Sequence, residues 1–316
     1  MSEAIPPELR TARDFLRWGV SRFHEHGLVF GHGTDNAFDE ARLLVTHALH
    51  LPFGVDDAWL DGALTAEERA AVHGLLTRRF RERIPAAYLT GEAWFAGLPF
   101  EVTPEVLIPR SPLAELIEAR FAPWIDPERV TDALDLCTGS GCIAIATALH
   151  LPEARVDASD VSPAALAVAA RNCARHGVTD RVRLVQSDLF AALADRRYDI
   201  IVSNPPYVDA GEMAALPPEY RHEPELGLAA GGDGLDLVRC ILAEAGSHLN
   251  PGGILVVEVG NSAEALARAY PRLPLVWLEF ERGGEGVFLL TAEQLAEHRA
   301  ELDAARTPGR CPPGSL

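Results

Sequence analysis

The order of hydrophobic and polar positions divides the chain into a helical first part and an alternating second part. Up to about Arg83, apolar residues recur every three or four positions, which is typical of amphipathic helices. This spacing predicts three helices: one over Leu9–Phe23, one from near Phe38, and one that opens at the capping box of Thr65 and Glu68 and runs toward Phe80. We expect a small helical bundle, either a substrate-recognition module or a structural cap.

Residues 85–112 follow a different pattern. Ala87–Phe95 and Leu98–Val102 predict the two strands of a hairpin that turns at Ala96-Gly97. Val106–Pro112 predicts an extended linker that runs beside the active site, and Leu113–Phe121 resumes a helix.

From Thr131 onward, short apolar runs alternate with helical stretches, which indicates a parallel doubly wound α/β sheet. The predicted strands are Asp132–Leu136, Arg155–Ser159, Val182–Gln186, Tyr198–Ser203, Gly253–Val259, Leu275–Phe280 and Gly286–Leu290. The predicted helices are Cys142–His150, Pro163–His176, Leu235–Leu249 and one from about Ser262, then a short surface helix over Glu293–Ala305 and a disordered tail over Arg306–Leu316. Only a short turn separates the last two strands, so they must form an antiparallel hairpin. We expect seven strands with the last one reversed.

The fourth predicted strand runs directly into Asn204-Pro205-Pro206-Tyr207. The prolines end the strand and hold Asn204 in an extended conformation. The Asn204 side chain and the Pro205 backbone each offer a carbonyl oxygen, and two such acceptors suit an NH2 group on a planar carbon. Tyr207 can cover the flat face of that group. The alternative is a strand that merely ends in a proline turn.

The first predicted strand ends in a loop with Gly139 and Gly141, which allow a ligand to approach the backbone at the start of a helix. Asp160 follows the second strand about 20 residues on, where a carboxylate can accept both hydroxyls of an adenosine ribose. Asp188 follows the third strand and could reach an adenine amino group. The loop and the acids together predict a nucleotide-like cofactor, although each acid could instead cap a helix or a turn.

Composition narrows the possible partners. The 316 residues carry a formal net charge of −18, which argues against binding nucleic acid through its phosphates and suits a basic partner. The five cysteines form no Cys-x-x-Cys pair and the eleven histidines show no ligand spacing, so we expect no structural metal. No apolar run reaches membrane-spanning length and no signal sequence follows Met1, which predicts a cytoplasmic protein without membrane contact.

These motifs together resemble those of the class I S-adenosylmethionine-dependent methyltransferases, and within them the N5-glutamine protein methyltransferases, from the first helices through Leu290. The resemblance implies a Rossmann-like fold in four parts: a substrate-recognition domain (1–84), a hairpin and linker (85–112), the methyltransferase domain (113–292), and a final helix and tail (293–316). It implies S-adenosylmethionine as cofactor, held by Asp135, Cys137, Thr138, Gly139, Ser140, Gly141, Asp160, Val161, Asp188, Leu189 and Asn204. It implies a substrate amide held by Asn204, Pro205, Pro206 and Tyr207, of which Asn204, Pro205 and Tyr207 are expected to be catalytic. Arg110 is a further candidate for substrate binding, with an anchor for its loop as the alternative.

Two departures bear on the protein substrate. Release-factor enzymes typically carry Ile-Pro-Arg-Pro-Asp-Thr-Glu where this chain has Ile108-Pro109-Arg110-Ser111-Pro112-Leu113-Ala114-Glu115, and Tyr-Glu-Pro near Glu219–Leu226. Both departures, with the stretch His32–Asn36 (otherwise a simple turn), resemble the branch that methylates ribosomal large-subunit protein three. The alternatives are a release-factor glutamine methyltransferase, an adenine N6-methyltransferase of nucleic acid, and a non-catalytic adenosine-ligand sensor.

Overall fold

The structure is a computed structural model that describes residues 4–305. The predicted tail Arg306–Leu316 lies outside the described residues. The described chain divides into two units: the first runs to Ala93 and also contains Pro217–His222, and the second contains Trp94–Leu216 and the residues from Glu223 onward. The four-part division expected from the sequence stays a prediction.

The first unit is a helical bundle formed by α1 (Ala12–Glu25), α2 (Ala37–Ala48), α3 (Ala66–Glu82) and α4 (Ala86–Thr90), with a 3-10 turn at Asp57–Asp61. The predicted capping box of Thr65 and Glu68 is confirmed. A second capping box, formed by Thr11 and Asp14, starts α1 at Ala12 rather than at Leu9. The apolar faces of these helices meet in one buried cluster around Phe15, Leu44 and Leu76.

A short segment from late in the sequence, Pro217–His222, belongs to this first unit. Its Glu219 is completely buried, accepts a hydrogen bond from the Val29 N–H at 3.1 Å and pairs with Arg83 at 2.9 Å. The ring of Tyr220 lies against that of His32, with centroids 4.4 Å apart. The sequence pattern gave no sign of this association, because periodicity reports only local structure.

The hairpin consists of β1 (Glu92–Phe95) and β2 (Leu98–Glu101). The prediction of a strand over Ala87–Thr90 is wrong, since these residues form helix α4. Pro85 precedes the first turn of α4, and Gly91, with φ of 73°, ends it in the left-handed conformation. The two residues therefore enclose a single helical turn that the apolar pattern alone does not distinguish from a strand.

The second unit contains the predicted seven-stranded sheet. Its strands are β3 (Asp132–Leu136), β4 (Arg155–Asp160), β5 (Val182–Gln186), β6 (Tyr198–Ser203), β7 (Leu249–Glu258), β8 (Val276–Trp277) and β9 (Val287–Thr291), in the spatial order β5-β4-β3-β6-β7-β9-β8. The first five are parallel, and β9 is antiparallel to both of its neighbours. The predicted α/β class and the reversed last strand are confirmed.

The helices of this unit are α5 (Leu113–Glu118), α6 (Cys142–His150), α7 (Pro163–His176), α8 (Ala210–Ala215), α9 (Asp236–His248), α10 (Ala263–Ala269), α11 (Ala292–Glu297) and α12 (Arg299–Ala304). Alternate residues of the strands face two separate buried clusters, so apolar side chains cover both faces of the sheet. Among the described residues, no helix is both long enough and apolar enough to cross a membrane.

Three further predicted elements differ in extent from the structure. The surface helix predicted over Glu293–Ala305 is divided into α11 and α12; most of its residues are exposed as expected, while Leu295 and Leu302 are buried in the core. The strand predicted over Leu275–Phe280 is reduced to Val276–Trp277, and β7 begins at Leu249 rather than Gly253. All three differences lie where packing against neighbouring elements decides the length of an element.

Candidate active site

The order of the strands brings the glycine loop and the proline tip together. The chain continues from β3 through β4 to β5 on one side and from β6 to β7 on the other, so β3 and β6 are neighbours at the switch point. Leu136 pairs with Ser203, and the Ser203 hydroxyl donates to the Leu136 carbonyl at 2.8 Å. Ligands of open α/β sheets bind at the carboxyl ends of strands at such a point.

A cavity of about 660 Å³ opens at this edge of the sheet, wholly within the second unit. It is lined by eleven of the fifteen side chains predicted for the site: Arg110, Cys137, Thr138, Gly139, Ser140, Asp160, Val161, Asp188, Leu189, Asn204 and Pro206. The four that do not line it are Asp135, Gly141, Pro205 and Tyr207. The predicted linker runs along the cavity through Glu105–Ser111.

Asp135 supports the glycine loop from beneath. Its carboxylate is completely buried, and a single oxygen, Oδ2, accepts from the Thr138 hydroxyl at 2.5 Å and from the Ala144 N–H at 3.0 Å. Oδ1 has no hydrogen-bond partner among the described residues. Burial raises the pKa of Asp135 to about 7.

The two glycines of the loop have different functions. Gly139 has a φ of 54°, and a Cβ built on it would meet no atom within 4 Å, so the loop leaves space beside it. A Cβ on Gly141, whose φ is 81°, would lie 3.1 Å from the Ala169 Cβ of α7. Cys137 and Leu189 also have positive φ, 61° and 47°, although they are not glycines. Strained residues of this kind cluster at binding sites.

Asp160 lies where the sequence predicts it. Its two oxygens accept from the Gly139 N–H and the Ser162 N–H, both at 2.9 Å, and each oxygen keeps capacity for one further hydrogen bond. The residue that caps α7 is Ser162, whose hydroxyl accepts from the Ala165 N–H. Burial raises the pKa of the Asp160 carboxyl. The carboxylate lines the cavity and fits a pair of adjacent hydroxyls.

Asp188 is also not used as a cap. The neighbouring Ser187 makes the local bonds, donating to the Leu189 carbonyl at 2.7 Å and accepting from the Ala192 N–H at 3.0 Å. The Asp188 side chain is exposed, lines the cavity and forms no hydrogen bond with another described residue. The local capping and turn hydrogen bonds are therefore made by Ser162 and Ser187. The carboxylates of Asp160 and Asp188 remain available to a ligand.

At the tip, two acceptors are unoccupied. The half-buried Asn204 lines the cavity, and its side chain forms no hydrogen bond with a described residue. The Pro205 carbonyl likewise accepts none from the described part of the chain. Tyr207 does not line the cavity, and its hydroxyl donates to Oε1 of Glu258 at 3.1 Å.

Arg110 contributes to the structure of the linker. Its guanidinium pairs with Glu223 through two hydrogen bonds, of 2.6 and 2.7 Å, and Glu223 also accepts from the Ile108 N–H at 3.1 Å. This geometry favours an anchor for the linker, and the predicted contact of Arg110 with substrate stays a prediction.

Glu258 was missed from the sequence. It ends β7, is buried, and accepts from the Ser111 hydroxyl through Oε2 at 2.5 Å as well as from Tyr207. Burial raises its pKa, against the opposing effect of the two hydroxyl donors. An available signal was an acidic residue at the carboxyl end of a predicted strand, the kind of position that also indicated Asp160.

Comparisons with known proteins show the family of the chain. The family model "Methyltransferase small domain" matches residues 120–216, and "PrmC N-terminal domain" matches residues 14–91. The ribosomal protein uL3 glutamine methyltransferase of Xanthomonas campestris pv. campestris is 52% identical over 309 residues, 97% of this chain and 100% of the relative. The protein of the same name from Bordetella pertussis is 53% identical over 289 residues, 91% of this chain and 97% of the relative.

Among solved structures, the hMettl16 catalytic domain in complex with the MAT2A 3'UTR hairpin 1 is 18% identical, with a TM-score of 0.48 over 70% of this chain and 78% of that chain. A methyltransferase from Pyrococcus furiosus is 22% identical, with a TM-score of 0.44 over 62% and 89%. At this similarity neither structure adds to the assignment. The curated relatives decide it: the predicted resemblance is confirmed, and this chain belongs to the family of ribosomal protein uL3 glutamine methyltransferases.

Proposed function

We propose that this protein transfers a methyl group from S-adenosylmethionine to the side-chain amide nitrogen of a glutamine in ribosomal protein uL3. Membership of the family supports both the reaction and the substrate. The observation that carries the chemistry is a pair of acceptors, the Asn204 side chain and the Pro205 carbonyl, that accept no hydrogen bond from the described residues and lie beside a cavity lined by two acids and a glycine loop.

The residues of the cavity fit the proposed cofactor. Asp160 has one remaining acceptor position on each oxygen for the two ribose hydroxyls, and the open space beside Gly139 admits a ligand to the backbone. Asp188 offers an acceptor to an amino group of the base. When bound, S-adenosylmethionine supplies a methyl group activated by a positively charged sulfur.

The amide nitrogen of glutamine is a poor nucleophile, because its lone pair is delocalised into the carbonyl group. Asn204 Oδ1 and the Pro205 carbonyl accept its two N–H bonds and so fix the direction of the nitrogen lone pair. Tyr207 packs on the amide plane and excludes water. Positioning of this kind contributes on the order of 7–11 kcal/mol in favourable cases. The site needs no strong base, since the methylated nitrogen is cationic and loses its proton readily.

The charge of the chain agrees with the proposed substrate. A formal net charge of −18 attracts a basic ribosomal protein by long-range steering and disfavours direct binding of nucleic acid. A cytoplasmic location follows from such a substrate and is part of the proposal.

The test is transfer of a labelled methyl group from S-adenosylmethionine to three unmodified acceptors: uL3, a class I release factor and adenine-containing DNA. We expect label on a glutamine of uL3, located by peptide mapping. Label on the release factor alone would overturn the substrate and keep the chemistry, and label on DNA alone would overturn both. Binding of cofactor without transfer to any acceptor would favour the non-catalytic sensor.

A further inference from the structure

Tyr207 is held by one short segment of the neighbouring strand end, Glu258–Ser262. Its hydroxyl donates to Glu258, and its backbone carbonyl accepts from the Ser262 hydroxyl at 2.9 Å. Between these two contacts, Gly260 packs against the tyrosine ring so closely that a Cβ on it would lie 2.6 Å from Cε2. Tyr207 is therefore fixed at its hydroxyl, its ring and its backbone by residues of this segment.

Glu258 also holds a residue of the cavity lining. Its second oxygen accepts from the hydroxyl of Ser111, a residue of the linker that lines the cavity. Ser111 in turn accepts from the Leu113 N–H at 3.1 Å, where helix α5 begins. One buried carboxylate thus joins the tip and the linker, which are far apart in the sequence.

The arrangement favours a positioning role for Glu258 over that of a general base. The carboxylate does not line the cavity, and each of its oxygens accepts a hydrogen bond from a hydroxyl of the protein. Arg110, the cation whose charge acts on Glu258, makes its two short hydrogen bonds to Glu223. The two hydrogen bonds that Glu258 accepts both come from side chains of the protein, Ser111 and Tyr207.

We propose that Glu258 is a positioning residue for methyl transfer, which fixes Tyr207 and Ser111 together and thereby sets the width of the acceptor site between the tip and the linker. This inference rests on the proposed function and deepens it, because it assigns the group that sets the orientation of Tyr207. A side chain displaced by about 1 Å can cost on the order of a hundredfold in rate.

The first experiment is a double-mutant cycle of Glu258→Gln and Tyr207→Phe. Glutamine keeps the size of the side chain and accepts only one of the two hydroxyls. We expect each single variant to lose on the order of tenfold to a hundredfold in kcat, with the KM for cofactor within about twofold of the wild type. The double variant should be no slower than the slower single variant, because both changes remove the same contact. Glu264→Gln, which removes an exposed carboxylate on α10, is the matched control and should keep the wild-type kcat.

The second experiment does not depend on activity. Protein labelled with 3-fluorotyrosine should give one fluorine resonance for each of the five tyrosines, and the resonance lost in Tyr207→Phe identifies Tyr207. We expect Glu258→Gln to shift that resonance and leave the other four in place, whereas Glu264→Gln should shift none. If Glu258→Gln fails to fold, Glu258→Asp shortens the reach to Tyr207, keeps the charge and should give the same shift.

An unshifted Tyr207 resonance in folded Glu258→Gln would overturn the inference, and so would losses in kcat that multiply in the double variant. Failure of the proposed function is a separate result. Wild-type protein would then methylate another acceptor, and the ratios of kcat on that acceptor together with the fluorine spectra would still test Glu258.

Discussion

The cofactor side and the acceptor side of the cavity each depend on a buried carboxylate, but the two carboxylates are used differently. Asp135 places both of its hydrogen bonds on one oxygen and leaves the other without a partner among the described residues. Glu258 accepts a hydrogen bond from Ser111 through one oxygen and from Tyr207 through the other. On the cofactor side one carboxylate oxygen has no partner in the described chain, whereas on the acceptor side each oxygen holds a side chain of the protein.

The two sides also differ in how far apart their residues lie in the sequence. The cofactor side is built at the ends of three consecutive strands, β3, β4 and β5, with Asp135 and Thr138 three residues apart. On the acceptor side, Ser111 and Glu258 are 147 residues apart, and Tyr207 and Glu258 are 51 apart. Because the cofactor side is proposed to hold S-adenosylmethionine, changes there should affect the affinity for cofactor. Changes on the acceptor side, which is proposed to orient the substrate amide, should affect kcat.

The largest effect is expected for Asn204→Ala. The substitution removes one of the two acceptors that orient the substrate amide, and loss of one preorganised polar group typically costs on the order of a hundredfold to a thousandfold in kcat. Cofactor affinity, measured by titration calorimetry, should fall only modestly. Near-normal turnover of this variant would show that Asn204 does not hold the reacting amide.

Asp160→Ala tests the other side. A hydrogen bond to a charged group contributes roughly 1.5–3 kcal/mol, so the dissociation constant of the cofactor should rise by about tenfold to a hundredfold. At saturating cofactor, kcat should recover most of its wild-type value. Asp188→Ala is the comparison, because this exposed side chain has no partner within the described chain and should cost less. If Asp188→Ala weakened cofactor binding more than Asp160→Ala, Asp188 rather than Asp160 would be the main carboxylate that holds the cofactor.

Gly260→Ala and Gly177→Ala form a matched pair. Both glycines have positive φ, 45° and 66°, so each alanine costs about 1–2 kcal/mol of strain and should lower the melting temperature. Only the alanine at 260 meets the ring of Tyr207, since a Cβ at Gly177 has no atom within 4 Å. Gly260→Ala should therefore also lower kcat. Equal kcat values for the two variants would show that the contact between Gly260 and the Tyr207 ring does not affect catalysis.

The pH dependence of stability tests Asp135 without a measurement of turnover. The pKa of Asp135 is about 7 in the folded protein and about 3.9 in an unfolded chain, so between these values only the folded form holds the proton. The free energy of unfolding should therefore decrease as pH rises from about 4 to 7, by at most about 1.4 kcal/mol per pH unit from this group.

Asp135→Asn removes that contribution and keeps an oxygen for Thr138 and Ala144. Urea unfolding at pH 5 and pH 7 should show a smaller difference for this variant than for the wild type. The exposed Asp180→Asn serves as control and should keep the wild-type difference. An unchanged difference in Asp135→Asn would show that Asp135 does not take up a proton in this range.

Much of the second unit could be predicted because its signals are local. The bounds of β3, β5, β6, α6 and α7 agree with the sequence prediction, and each of these elements except β3 begins at a proline, begins after a glycine or ends at a polar residue after an apolar run. The prediction failed over Ala87–Thr90, where a short apolar pattern fits more than one structure, and it missed the division of Glu293–Ala305 into two helices.

The sequence by itself determined the α/β class, the reversed last strand, the glycine loop, the acids after β4 and β5, and the Asn204–Tyr207 tip, because each depends on residues that are close together in the chain. Only the tertiary structure decided that Pro217–His222 belongs to the first unit and that Glu258 ties Tyr207 to Ser111. These features depend on residues that are distant in the sequence, because a buried carboxylate needs hydrogen-bond donors and takes them from the elements that pack against it. The periodicity of the sequence does not show which elements those are.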